Sequence, residues 1–244
     1  MMSQNHCGFI QTVELPDLFT WTRCKMNNKN TKYIVFEGTD GCGKTTIARA
    51  IYDNLPGAKI FTKEPGSRHS EFCLQVRELV LHGSGYDIDP ITYAYLFAAD
   101  THEHQTKIVI PALRRDEWVV SDRSVISDFA YRPDTGDHIR FDNYQRFIGM
   151  NPKVFWIDAK PGVCERRMTE IREEELNEFE IKHVMGKLKD LRDAYARAFG
   201  EDRKVPAGDF RSWHHVPNNH DLDGAIGTVK DLLSILFEEL QEGF

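Results

Sequence analysis

The chain has 244 residues, 31 Lys+Arg against 38 Asp+Glu for a net charge of −7, and 41% hydrophobic residues. That length can bury the core of one α/β domain without disulfides or a structural metal. The acidic balance argues against a general nucleic-acid-coating protein, and no run reaches the ~18 apolar residues of a membrane helix. Residues 1–30 are polar apart from Leu15, Leu18, Phe19 and Trp21, and show no signal-peptide pattern; they read as an extension before a domain over 31–244. Tyr33-Ile34-Val35-Phe36 is a short continuous apolar run, as expected of a strand buried on both faces. A glycine turn and a helix over Thr46–Tyr52 follow. Similar runs at Ala58–Phe61, Trp118–Val120 and Val154–Ile157 are separated by helix-length segments, which predicts a parallel sheet with helical crossovers. A long helix is expected over Pro90–Arg114, with Pro111 kinking or ending it, then a charged helix over Glu174–Phe199. Gly200–Asp223 reads as a loop holding a strand candidate at Trp213–Val216, and a last amphipathic helix spans Leu222–Leu240. The five cysteines, Cys7, Cys24, Cys42, Cys73 and Cys164, are odd in number and far apart, which fits reduced thiols in a cytoplasmic protein.

The turn after the first strand, Gly38-Thr39-Asp40-Gly41-Cys42-Gly43-Lys44-Thr45, fits the phosphate-loop pattern G-x-x-x-x-G-K-[ST] in full. Glycines let successive backbone N–H groups turn inward around phosphate oxygens, and the following helix, with Thr46 in its first turn, presents its positive end. Lys44 can neutralise the β/γ-phosphates of a nucleoside triphosphate and the Thr45 hydroxyl can ligate Mg²⁺. Cys42 reads as a small spacer facing away from the nucleotide. A phosphate loop alone does not separate a kinase from a switch or a motor.

Three clusters narrow the class. Thr62-Lys63-Glu64-Pro65-Gly66-Ser67-Arg68 is a Pro-Gly turn carrying Lys63 and Arg68 to the expected carboxyl edge of the sheet. On the long helix, Phe97, Asp100 and His104 share one face, with Thr101 beside them. Trp118-Val119-Val120 runs into Ser121-Asp122-Arg123-Ser124, with Ser127 and Tyr131 beyond. An Asp-Arg pair there suits phosphoryl transfer: a carboxylate to hold a hydrated metal and a guanidinium to bind an acceptor phosphate bidentately. Taken singly, Phe97 reads as core packing, Arg123 as an ion-pair arginine and Asp122 as a helix cap.

In order, Phe36 to Thr46, Thr62 to Gly66, Phe97 to Asp100, Ile110 to Leu113, Val120 to Arg123 and Ala130-Tyr131 resemble the thymidylate kinases over about Lys32 to Phe199. The resemblance implies a P-loop fold with a five-stranded parallel sheet flanked by helices and a short lid at about 165–180. It also implies a homodimer and Mg²⁺-dependent transfer of the ATP γ-phosphoryl group to dTMP. By position, Asp40 resembles the carboxylate that contacts the acceptor sugar and Phe97 the aromatic that stacks on thymine. Arg123 matches the arginine on the acceptor phosphate, and Ser127 and Tyr131 the base and sugar pocket. Arg167 and Arg172 are the two candidates for the catalytic lid arginine. Three departures stand out: Thr101 where the family carries a base-reading arginine, Ser124 for a tyrosine and Lys63 for an arginine. They leave open a kinase with relaxed or altered base specificity, including a modified pyrimidine; more distant alternatives are a P-loop switch and a kinase acting on bases in DNA.

Overall fold

A computed structural model describes residues 31–81, 88–132, 137–171, 175–176, 180–199, 213–219, 222–237 and 240. The N-terminal extension and Arg172 lie outside these residues. Strands β1 (Tyr33–Glu37), β2 (Lys59–Lys63), β3 (Trp118–Asp122), β4 (Lys153–Asp158) and β5 (Trp213–Pro217) form one sheet in the order β2-β3-β1-β4-β5. Every pairing is parallel.

The continuous apolar runs follow from burial on both faces. Along β1, Ile34 and Phe36 point into a layer with Ile47 and Ile51 of α1 (Lys44–Asn54) and Val229 and Leu233 of α9 (Leu222–Leu236). Tyr33 and Val35 point the other way, against Val109, Phe147 of α6 (Asp137–Gly149) and Tyr195 of α8 (Leu188–Phe199). Strands β3 and β4 repeat the alternation, Trp118, Val120, Phe155 and Ile157 on one face and Val119, Val154 and Trp156 on the other. Burying both faces leaves no polar side to the strand.

Phe36 of β1 and Lys63 of β2 both stand opposite Asp122 of β3. The three strands therefore end level, and their next residues open onto one crevice. This is the carboxyl edge where α/β proteins bind ligands.

Two helices differ from the sequence expectation. The long one is α3 (Pro90–His104), a π-turn over Gln105–Val109 and α4 (Ile110–Arg114). Pro111 has no N–H to give, so the wider turn upstream lets it stand in the first turn of α4, and the chain neither stops nor breaks. Among the described residues of the charged segment, a π-turn spans Glu180–Val184, and Gly186 takes a left-handed φ of 79° before α8 begins at Leu188. The helix after the phosphate loop is longer than expected, and α9 ends at Leu236 rather than Leu240. Helices α2 (Glu71–Leu81), α5 (Val125–Tyr131), α6 and α7 (Pro161–Arg166) were not marked as elements by the sequence reading.

Candidate active site

The phosphate loop joins β1 to α1. Gly41 has a φ of 76°, and a Cβ there would stand 2.4 Å from the Cys164 carbonyl oxygen; Gly43 has a φ of 93° and would meet the Asn218 amide at 2.5 Å. Only glycine fits either place. Thr39 is buried, with its hydroxyl 3.5 Å from the Cys164 sulfur. Cys42 is fully buried in the α1 layer, where burial pushes its thiol up to about 11, so it is a packing residue and not a reactive one. Lys44 lies along the loop, its Nζ donating to Thr39 O at 3.2 Å and Asp40 Oδ1 at 3.4 Å. Thr45 and Thr46 are exposed on the first turn of α1, and the Thr45 hydroxyl donates to Asp122 Oδ2 at 2.6 Å.

Asp122 is fully buried and does not cap α5; Ser124 does, accepting from the Ile126 N–H at 3.2 Å. Burial pushes the Asp122 carboxyl up, but the ammonium groups of Lys44 and Lys63 outweigh it and hold the group below its ordinary range. Lys63 Nζ stands 3.9 Å from Asp122 Oδ2. The other oxygen, Oδ1, is buried without a hydrogen-bond partner. An ionised carboxylate with a spare oxygen beside a hydroxyl fits Mg²⁺, which takes one or two protein oxygens and completes its shell with water and phosphate. Accordingly, the described residues hold no cluster of three metal-ligating side chains.

Arg123 follows with a left-handed φ of 77°, a conformation that costs a non-glycine residue about 1–3 kcal/mol. Its surroundings fix it there. The backbone N–H donates to Phe36 O at 2.9 Å, and the guanidinium donates to Asp40, to Tyr131 Oη at 3.0 Å, to Tyr195 Oη at 3.1 Å, to Ser127 Oγ at 3.2 Å and to Gly38 O at 3.3 Å. Asp40 also accepts from Tyr131 Oη at 2.9 Å. Burial raises the Asp40 carboxyl, yet Arg123, Lys44 and Tyr131 together hold it well below the ordinary range.

Sequence reasoning missed the group beneath Arg123. Glu37, the last residue of β1, is fully buried; it accepts from Ser124 N and Oγ, both at 2.7 Å, from Ser127 Oγ at 2.8 Å and from Tyr195 Oη at 3.1 Å. A carboxylate closing an apolar strand just before Gly38 was a readable signal. Nothing marked Tyr195, which comes from the distant helix α8. Ser124 is thereby explained, because it caps α5 and anchors Glu37.

The far end of the cleft is built from β2, α2, α3 and α5. An open cavity is lined by Asp40, Lys63, Pro65, Phe97, Asp100, Thr101, Arg123, Ser127 and Tyr131. Those nine expected acceptor-side residues therefore come together, and Glu64, Arg77, Asp128, Arg132 and Glu180 join them. Arg68 does not line it: that side chain is exposed, and Arg77 of α2 takes the basic place, donating to Pro65 O at 2.8 Å. Asp100 Oδ1 holds the turn by accepting from Gly66 N at 3.1 Å, while Oδ2 is buried and unpartnered. Thr101 turns to Glu64, donating to Oε2 at 3.0 Å. His104 Nδ1 meets Glu64 Oε1 at 2.5 Å, and its Nε2 meets Thr62 Oγ1 at 2.7 Å. Burial raises Glu64 and lowers His104 to about 4.

On the other side of the loop, Arg167 opens a π-turn over Arg167–Ile171. Its Nη1 donates to Asn218 O at 3.1 Å, Cys42 O at 3.2 Å and Gly41 O at 3.5 Å, so this arginine is fastened to the phosphate loop.

A family model described as thymidylate kinase matches residues 36–205, more than two thirds of the chain. The chain belongs to the thymidylate kinase family. It is thus an ATP-dependent nucleoside monophosphate kinase, a phosphotransferase. It is 35% identical over 160 residues to the thymidylate kinase of Onion yellows phytoplasma (strain OY-M), covering 62% of this chain and 75% of that protein. The thymidylate kinase of Aster yellows witches'-broom phytoplasma (strain AYWB) is 32% identical over 178 residues, 70% of this chain and 84% of the relative. That of Ureaplasma parvum serovar 3 (strain ATCC 27815 / 27 / NCTC 11736) is 38% identical over 109 residues, 43% of this chain and 47% of the relative.

Proposed function

We propose that the chain transfers the γ-phosphoryl group of ATP to dTMP, giving dTDP, with Mg²⁺. The observation that carries this is the single cleft in which a phosphate loop, the Asp122-Thr45 pair and the buried Arg123 stand beside an aromatic-walled acceptor pocket. A simple switch has no use for that pocket. The loop amides and Lys44 take the β- and γ-phosphates of the donor. Thr45 and Asp122 would hold Mg²⁺, whose charge offsets that of the phosphates. On the acceptor side, Arg123 receives the phosphate in competition with Asp40, which is then free to bond the sugar hydroxyl. Tyr131, which donates to Asp40, can block a 2′-hydroxyl and so favour deoxyribose. One of the two candidates, Arg167 or Arg172, would supply the lid charge over the transferred group. No general base is needed, because the attacking phosphate oxygen is already ionised. Catalysis is positioning and charge stabilisation.

The homodimer and the cytoplasmic location belong to the same proposal. Phe72, Ile91, Tyr95 and Phe141 are exposed on α2, α3 and α6, and α3 packs against both of its neighbours. The thiols of Cys42, Cys73 and Cys164 are free and buried. Among the described residues no helix is long and apolar enough to cross a membrane.

Purified protein with Mg-ATP and a panel of nucleoside monophosphates tests the activity. ADP release is expected with dTMP, and Lys44→Ala should lower it at least about 100-fold. ADP release indifferent to every acceptor would overturn the reading. Thr101 has spent its hydroxyl on Glu64, which favours base reading by some other residue.

A further inference from the structure

We propose that Arg132 is that residue: it sets base specificity by donating to the 4-keto oxygen of a pyrimidine. The inference rests on the acceptor reading above. Arg132 stands just past the last turn of α5, with its guanidinium 3.6 Å from the centre of the Phe97 ring. Phe97 is the aromatic of the acceptor cavity, and Arg132 lines the same cavity. The guanidinium is therefore laid on the surface that a base needs for stacking.

Its placement is built. Asp128, one turn earlier on α5 and itself buried, accepts from Arg132 Nη2. Arg140 of α6, also buried, donates from Nη1 to Asp128 O at 2.7 Å and to Arg132 O at 2.8 Å, fixing the backbone from which the side chain springs. An incoming base takes the guanidinium's place on the ring. Tethered through Asp128, Arg132 then turns to the base edge.

A guanidinium has donors and no acceptor. Thymine and uracil present a keto oxygen at position 4, which accepts. Cytosine presents an amino group there, so two donors would face each other and could not pair. Mismatches of that kind, rather than lost contacts, give large discrimination. The molecule thereby restores at position 132 the cationic donor that position 101 lacks, from a different helix.

The test is kcat/KM for dTMP, dUMP and dCMP at saturating Mg-ATP on the full chain. Wild type should favour dTMP and dUMP over dCMP. Arg132→Met should lose about tenfold or more for dTMP, chiefly through KM, and little for dCMP, so the ratio collapses. Arg132→Lys, which keeps the charge but not the fork, should fall between. The double variant Asp128→Asn with Arg132→Met removes the carboxylate left unpaired and should show the same collapse, and an unchanged KM for ATP in each variant verifies the fold. An unchanged dTMP to dCMP ratio in an active Arg132→Met enzyme would overturn the proposal and leave the kinase reading standing. A wild type that phosphorylates no pyrimidine nucleotide would overturn both.

Discussion

The Arg123 guanidinium is bonded to Asp40 and two tyrosine hydroxyls, so an acceptor phosphate reaches it by competing with a carboxylate already in place. Arg123→Lys keeps a charge beside Asp40 but loses the planar fork. It should raise KM for dTMP roughly tenfold or more and leave KM for ATP nearly unchanged, as steady-state kinetics with each substrate varied would show. Equal effects on both substrates would place Arg123 elsewhere. Asp100 makes a pH prediction. Burial, then the nearby Glu64, raises its carboxyl from 3.8 to about 7. A group whose folded pKa is raised contributes stability that is complete below the unfolded value and is lost as pH climbs through the folded one. Wild type should therefore lose stability relative to Asp100→Asn as pH rises from about 4 to about 7, with a constant difference above that, measured by urea unfolding. Parallel stability profiles across that window would contradict it.

At the scale of elements, what was legible in the sequence depended on local pattern. The four apolar strands and the phosphate loop stand as expected because each is a short run with one character: apolar on both faces, or glycine where the backbone must turn. The π-turn before Pro111 was not legible, since the wider turn is one way among several of seating a proline in a helix. The break at Gly186 was not legible either, because the charged residues around it are helix formers. Within the site, Lys44 was readable from the phosphate-loop pattern, and Asp122 and Arg123 from their place at the end of a strand. Arg77, Arg132 and Tyr195 were not, because their partners lie on other elements and only the folded chain brings them together. Packing of α9 makes the element-scale prediction. Leu233 is fully buried in the layer that α9 shares with α1 and the sheet. Leu233→Ala should cost about 2–5 kcal/mol, read by chemical denaturation, and a change under about 1 kcal/mol would mean that α9 is not part of the core.

For the molecule as a whole, the −7 charge acquires a local structure. The cations of the cleft are set against acids: Lys44 and Arg123 on Asp40, Lys63 on Asp122, Arg132 on Asp128. The cleft of this acidic protein is thus a pocket of paired charges, in which substrate phosphates take over cations that carboxylates hold beforehand. Pairing lowers the energetic cost of burying those cations until the phosphates arrive. The measurement that bears most directly on this account follows the γ-phosphate itself. With ATP radiolabelled at that position and dTMP present, the label should pass into dTDP with one ADP formed for each dTDP, and little should be released as inorganic phosphate. Label released as inorganic phosphate at the same rate with and without dTMP would contradict the account.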